Sequence, residues 1–395
     1  MTGATLGLGV AGLGRAFMLM LPTLRADRRI RLVAATDPRP EALRHFQAEF
    51  QGRAYATHDA LCRDPEIDAI YIATPHQFHA EHVVAAASHG KHALVEKPMA
   101  LTLAECQTMI DAARRAGTTL IVGHSHSFDS PVVHARRLIS DGTFGNVRMI
   151  HALNYTDFLY RPRRPEELDT ERGGGVVFSQ GAHQVDIVRV LGGGNVRSVR
   201  AHTGAWDPSR PTEGAYSALL TFAGGAFASL TYSGYAHYDS DELCGWIGEL
   251  GHRKDRSLYG TARASLRNVA TTGQEIALKN QRTYGIANEP ARKADGHNQF
   301  GMVVASCDRA DLRPLPHGVM IYGDERAWLE ELPAPAIPRV EVIDELYAAI
   351  VEHRPPVHDG EWAMATLEVC LAILESSRTG REVRLRHQIA RRGAC

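Results

Sequence analysis

Along the first third of the chain, short apolar runs alternate with longer amphipathic stretches. ATLGLGVA, IRLVAATD, DAIYIAT, ALVEKP and TTLIVG read as strands buried on both faces. Between them, PEALRHFQAEF, HAEHVVAAASHG and LTLAECQTMIDAARRAG space apolar residues at helical intervals, with Thr102 placed as an N-cap and Gly90 and Gly117 as stops. The alternation predicts a doubly wound α/β domain of six strands, TTLIVG being the last, complete near Gly123. Beyond it, NVRSVRAHTGA and YSALLTFAGGAFASLTYSG alternate as sheet strands, the second turning at Gly224-Gly225. PAPAIP, around Pro333 to Pro338, is a stiff connector to final helices expected to pack back onto the second sheet.

Length and charge narrow the classes. A chain of 395 residues favours two domains, here 1–124 and 125–395. A formal net charge of -1 gives no electrostatic case for nucleic acid or an anionic membrane, so an acidic ligand needs a local basic cluster. The 6 cysteines lack close CxxC pairing, as in reduced proteins of the cytoplasm. No run approaches the roughly 20 apolar residues of a membrane span, and the N-terminus enters a strand almost at once. A cytoplasmic protein is the expectation.

Chemistry enters at the strand ends, where open α/β sheets bind ligands. After the first strand, Gly12-Leu13-Gly14 with Arg15 and Ala16 has the dinucleotide spacing. Gly12 permits the tight turn, and Gly14 lets backbone approach a pyrophosphate on the helix N-terminus. Phe17 stands where a third glycine is usual, which implies a looser helix crossing. Asp37 ends the second strand 37 - 14 = 23 residues after Gly14, near the separation of about 20 expected of the carboxylate that accepts ribose hydroxyls. It favours NAD over NADP, although Arg39, two residues on, is placed to swing to a 2'-phosphate. Thr74-Pro75, with His79 on the next helical turn, would let a nicotinamide ribose approach backbone. Glu96-Lys97-Pro98 puts an ionisable pair at a further strand end.

GLGRA, Asp37, the Thr74-Pro75 to His79 segment and EKP together resemble the Gfo/Idh/MocA oxidoreductases, the family of glucose-fructose oxidoreductase and inositol dehydrogenase. FGNVRMIHALNYT, GGGVVFSQGAHQVDIVRVLGG and HDGEWAMATLEVCLAILESSRTGREVRL extend the resemblance from about Gly7 to Leu385. It implies a Rossmann domain followed by an α+β domain with a large, mostly antiparallel sheet that often forms the interface of a homo-oligomer, dimer or tetramer. Residues 238–318 depart from compact members and read as an insertion forming a lid or interface extension. Lys97 matches the family's lysine beside nicotinamide and substrate hydroxyl, His183 the histidine of DxGxHxxD, and Asp186 its second aspartate. Ser179 stands where the first aspartate usually lies.

Oxidising an alcohol with NAD requires a group that takes the hydroxyl proton. His183 titrates near neutral pH and follows a glycine-rich turn; Lys97 can hydrogen-bond a developing alkoxide. His183 is expected as proton acceptor with Lys97 as electrostatic stabiliser, and the reverse assignment is the alternative. No metal is expected, despite 20 histidines. His124 and His126, like His79 and His82, join no cysteine or carboxylate set of usual ligand spacing, and His124 and His126 are expected at the pocket mouth.

The loop DFLYRPRRPEELDTER combines Tyr160, Arg161, Arg163 and Arg164 with two prolines that limit its backbone. Guanidinium groups bind carboxylates in bidentate pairs, so the loop suits a carboxylate-bearing ligand, with Arg148 as a further anchor and Ser179 and Gln180 nearby. A solvated loop paired with Glu166, Glu167 and Glu171 is the alternative. YRPRRPEELD with GGGVVFSQGAHQVD resembles a subfamily, the phthalate cis-dihydrodiol dehydrogenases of bacterial aromatic degradation. That resemblance implies oxidation of one ring hydroxyl of a dicarboxylate by NAD, then enolisation to the aromatic diol. A sugar or inositol-type dehydrogenase, an NAD-dependent glycosidase and an NAD-sensing regulator are the competing functions.

Overall fold

The computed structural model describes residues 4–123, 125–286 and 293–391. The chain separates into two units. The first contains six parallel strands, β1 (Leu6–Ala11), β2 (Ile30–Thr36), β3 (Arg53–Ala54), β4 (Ala69–Ile72), β5 (His92–Val95) and β6 (Leu120–Val122), in the order β3-β2-β1-β4-β5-β6. The order reverses at β1, so its C-terminal end and that of β4 flank a crevice. β3 has only two residues and no apolar run marks it in the sequence. The helix Leu103–Ala116 has the expected Thr102 cap, completed by Glu105 as a capping box, and ends at left-handed Gly117.

Later segments complete this unit: the described parts of 277–292 and 336–364 group with it. The helix Val340–Ile350 therefore belongs to the first unit, contrary to the expectation for the final helices, whereas the last helix, Gly360–Thr379, groups with the second unit from Ala365 onward as expected. Val122 N–H donates to the His358 carbonyl (2.9 Å), Asp359 bridges Ile121, and Trp362 is buried. The edge of β6 is thereby covered by chain from beyond residue 350, which no local pattern announces.

The second unit is built on nine strands: β7 (Val147–Tyr155), β8 (Val196–Gly204), β9 (Ala215–Phe222), β10 (Phe227–Ser233), β11 (Met302–Cys307), β12 (Ala310–Leu315), β13 (Gly318–Gly323), β14 (Ala327–Glu331) and β15 (Val383–Arg384). Their order is β14-β13-β12-β11-β7-β10-β9-β8-β15, antiparallel except where β10 runs beside β7. The β9–β10 hairpin turns at Gly224 and Gly225 as its sequence predicts. Strands resume at Met302, so 302–318 is sheet rather than insertion; Pro314 within β12 obscures its alternation. Before them the insertion folds into short helices, among them Thr261–Arg267 and Thr272–Asn280.

One face of this sheet carries the helix Ala182–Gly192, which is buried along most of its length. Gln184 ties it down, accepting from the Tyr216 hydroxyl (2.7 Å) and donating to the Thr231 carbonyl (3.2 Å). The other face leaves Met149, Leu219 and Phe227 exposed, Met149 and Phe227 in register on neighbouring strands. Among the described residues no helix is long and apolar enough to cross a membrane.

Candidate active site

In the first unit, the turn after β1 is shaped for a dinucleotide. Gly12 has φ +93°, and a Cβ there would meet the Ala73 carbonyl oxygen at 2.8 Å. A Cβ at Gly14 would meet nothing within 4 Å, so this side of the turn is open where a pyrophosphate would lie against the N-terminus of the helix Arg15–Ala26. Arg15 and Ala16 form its first turn. Phe17, in the place of the third glycine, is fully buried, its ring edge-on to Tyr284 at 5.2 Å. An aromatic residue is accommodated there because a later segment supplies a partner. Asp37 Oδ2 accepts from Leu13 N–H (2.7 Å), which fixes the glycine turn to the end of β2. These residues fit a bound dinucleotide.

The ends of β4 and β5 are joined through His79. Its Nε2 lies 3.0 Å from the Thr74 carbonyl oxygen, and its Nδ1 lies 3.0 Å from that of Pro98 and 3.3 Å from that of Met99. Burial, the largest influence, brings its pKa down to about 4 although the carbonyls pull the other way. His79 thus holds the Thr74-Pro75 turn against the Lys97-Pro98 turn by backbone contacts. Burial also raises the Glu96 carboxyl, against the Tyr71 hydroxyl that donates to it at 2.6 Å. Lys97 follows, with a cis peptide bond to Pro98.

In the second unit, the glycine run 173–175 and the helix after it form one construction. Gly175 has φ +84°, and a Cβ on it would lie 2.0 Å from Glu213 Oε1; a Cβ on Gly174 would lie 2.7 Å from Asp169 N. Side chains are excluded because the arginine loop and a buried carboxylate press against the turn. Glu213 accepts from Val177 N–H (3.0 Å) and from the hydroxyls of Thr170 and Thr212, tying that loop to the next element. This is a π-helical turn, Val177–Gly181, of the kind that recurs at functional sites. Ser179 sits within it, its hydroxyl donating to the Gly175 carbonyl, and Gln180 is buried beside it. His183 follows on the first turn of the helix Ala182–Gly192. Asp186, one turn on, accepts from Ser127 and from Thr366 (2.9 Å), so it anchors the helix.

Around His183 the structure gathers residues that local pattern did not join. The rings of His126 and His183 are 4.8 Å apart, and Phe300 lies 5.1 Å from the first and 5.0 Å from the second. His126 Nδ1 is 2.6 Å from Asp129 Oδ2, and its Nε2 is 3.6 Å from Glu249 Oε1. Burial disfavours a charged imidazole here, yet Asp129 and Glu249 outweigh it and the His126 pKa is raised. Arg161 reaches the same cluster, its Nη1 3.8 Å from Glu249 Oε2 and its Nε donating to Asp157 at 3.1 Å. His126, His183 and Glu249 each bring a donor atom within 4.8 Å of the others, a grouping that could hold an ion. His124 lies outside the described residues. The three-residue spacing of His126 and Asp129 was a usable signal for their pairing; nothing local marked Glu249, which comes from the insertion.

Arg163 and Tyr160 have partners elsewhere. Arg163 lies over the Phe158 ring at 3.6 Å, donates to the Phe158 carbonyl (2.7 Å) and is 3.7 Å from Glu167. Arg164 donates its backbone N–H to Glu167 (2.7 Å). Tyr160 donates to Asp207 (2.9 Å) beneath the Arg263 guanidinium. Arg148 is not brought to this cluster. It pairs with Asp308 (2.6 Å) at the opposite end of β7, and eight residues of strand place it roughly 26 Å from the loop.

A glycine turn open to a pyrophosphate and a second unit with a buried histidine–carboxylate cluster define a nucleotide-dependent oxidoreductase. Residues 6–124 match the family model described as "Oxidoreductase family, NAD-binding Rossmann fold", and 132–252 match the GFO/IDH/MocA C-terminal domain. The chain belongs to the Gfo/Idh/MocA family and is an NAD-dependent oxidoreductase. It is 51% identical over 376 residues, 94% of each chain, to the 1-carboxy-3-chloro-3,4-dihydroxycyclohexa-1,5-diene dehydrogenase of Comamonas testosteroni. The crystal structure of a proposed dehydrogenase from Bordetella bronchiseptica RB50 is 43% identical, with TM-score 0.90 over 96% of this chain and all of that one. Levoglucosan dehydrogenase, solved with NADH and levoglucosan, is similar in fold at 18% identity, with TM-score 0.72 over 96% of this chain and 99% of the other.

Proposed function

We propose that the protein oxidises a carboxylated cis-dihydrodiol with NAD, and that the substrate is the phthalate 4,5-cis-dihydrodiol, giving 4,5-dihydroxyphthalate. The observation that carries this is the position of Arg161, a cation for a ring carboxylate that lies 3.8 Å from Glu249, which is itself 3.6 Å from His126. The relative from Comamonas supports it, since its named substrate is a carboxylated, dihydroxylated cyclohexadiene.

Gly12, Leu13, Gly14, Arg15, Ala16, Asp37, Thr74 and Pro75 would hold NAD, which would supply the acceptor for the hydride of the carbinol carbon. His183 takes the hydroxyl proton and Lys97 stabilises the developing alkoxide; the reverse assignment predicts that His183→Asn keeps its acidic limb while a Lys97 variant loses it. The resulting hydroxy-ketone loses the C–H proton next to its carbonyl, the oxygen gains one, and the ring becomes aromatic. No metal is invoked: the Arg161 guanidinium supplies positive charge beside Glu249 and Asp157, and Asp129 and Glu249 favour the charged form of His126. The open sheet face bearing Met149, Leu219 and Phe227 would pair with a second copy. The five described cysteines, all free thiols, accord with a cytoplasmic setting.

A monocarboxylated dihydrodiol is the second reading, favoured because Arg161 reaches the histidine cluster while Arg163 is spent on Phe158 and Glu167. Purified protein with NAD is offered the phthalate dihydrodiol, a benzoate dihydrodiol, inositol and glucose, and absorbance at the NADH band is followed. NADH from the phthalate compound above the others, lost on Arg161→Ala, is the expected result. A preference for the benzoate compound selects the second reading, and turnover of polyols alone overturns both.

A further inference from the structure

Arg39 has five N–H groups, and each has an acceptor. Nε donates to Asp37 Oδ1 (2.9 Å), and Nη2 donates to Asp37 Oδ2 (3.2 Å) and to the Leu13 carbonyl (2.8 Å). Nη1 donates to Thr283 Oγ1 (2.6 Å) and to the Tyr284 carbonyl (3.3 Å). Three acceptors come from the glycine turn and the end of β2. The other two come from a segment about 245 residues further along the chain.

That segment is held to the first unit independently of Arg39. The Tyr284 ring, buried, packs against Phe17, His45 and Phe50; its hydroxyl donates to Glu49 (2.7 Å) and its N–H to the Leu13 carbonyl (3.2 Å). Gly285, at φ +84°, turns the chain closely over His45 and Ala42. Thr283, also buried, is fixed by donating its hydroxyl proton to the Asn280 carbonyl (2.6 Å), which leaves its oxygen aimed at Arg39.

An NADP site of this fold needs a cation for the 2'-phosphate, and an arginine near the end of the second strand is the usual supplier. It binds phosphate through two parallel N–H groups on one edge. Here every edge is engaged, and the carboxylate of Asp37 lies where the phosphate would come.

We propose that residues 277–286 form a cofactor-selecting element, in which Thr283 and Tyr284 hold Arg39 on Asp37 and so confine the dinucleotide site to NAD. Thr283 acts through Arg39 and is a positioning residue. The element belongs by sequence to the insertion, yet it serves the other unit.

The test is equilibrium binding of NAD and NADP to the full-length protein without any organic substrate, so its outcome is independent of the dihydrodiol reading. Thr283→Val is expected to raise NADP affinity relative to NAD by about tenfold, the order of one charge-assisted hydrogen bond. Thr283→Ser keeps the oxygen and should keep the wild-type ratio. In Thr283→Val the further change Arg39→Ala should abolish the gain, because the gain passes through the released guanidinium. Thr283→Ala, which adds no methyl group beside Arg39, repeats the measurement if the valine variant folds poorly. The proposal is overturned if both Thr283→Val and Thr283→Ala bind NADP and NAD in the wild-type ratio, or if the gain persists without Arg39.

Discussion

Replacing Gly175 by alanine tests whether the glycine run is a support for the helix of His183. The added methyl would lie 2.0 Å from Glu213 Oε1 and 2.4 Å from Cδ, so the carboxylate must leave. Its departure deprives the buried Val177 N–H and two threonine hydroxyls of their acceptor, a loss of about 1–3 kcal/mol. The left-handed backbone at φ +84° adds about 1–2 kcal/mol for any residue with a Cβ. The sum is about 2–5 kcal/mol. Two glycines of the β9–β10 turn separate these contributions. Gly225→Ala, at φ +88° with nothing within 4 Å, isolates the backbone cost of about 1–2 kcal/mol. Gly224→Ala, in open space, should stay within about 0.5 kcal/mol. Urea unfolding of the three variants gives the ranking, and kcat/KM should fall only for Gly175→Ala, since Gly175 precedes the π-helical turn that leads into the helix of His183. If Gly175→Ala costs no more than Gly225→Ala, the claim that Glu213 is held against the turn by those hydrogen bonds is wrong.

Two further outcomes follow from the histidine cluster. Because the folded-state pKa of His126 is raised, its partners stabilise the protein while the ring is protonated; that contribution is complete below the ordinary value near 6.5 and disappears as pH rises through the folded one. The difference in thermal midpoint between wild type and His126→Gln should therefore shrink as pH climbs above about 6.5, and a difference that grows would refute the assignment. Exhaustive treatment with a chelator should leave dehydrogenase activity intact and the purified protein should hold no stoichiometric metal. Loss of activity restored by zinc would instead make His126, His183 and Glu249 ligands.

What could be read in the sequence was what depends on neighbours along the chain. The order of strand and helix in the first unit, the Thr102 cap and the β9–β10 turn are local devices, and each is found where its pattern places it. Gly12, Gly14 and Asp37 were legible as a set because the tight turn, the close approach and the carboxylate have nearly fixed spacing. The histidine cluster was only half legible. His183 stood in a recognisable segment, whereas Glu249 is joined to it by folding across an insertion whose polar composition carries no period. The arginine loop misled for a related reason: three adjacent guanidinium groups look alike in sequence, but Arg163 has an aromatic ring and its own carboxylate within reach. Five strands, β3 and β11 to β14, escaped; β3 has only two residues and β12 contains a proline.

The completion of the first unit by residues beyond 350 has a consequence for synthesis. The last segment grouped with that unit ends at Met364, which is 364 - 124 = 240 residues after its main body ends. At ribosomal speeds of about 5–20 residues per second, the edge of β6 waits on the order of ten seconds to a minute for its cover. During that interval Leu120, Ile121 and Val122 present an apolar strand with open backbone donors, the surface on which nascent chains associate wrongly. Chaperone demand and yield should therefore depend on how quickly residues 125–364 are translated.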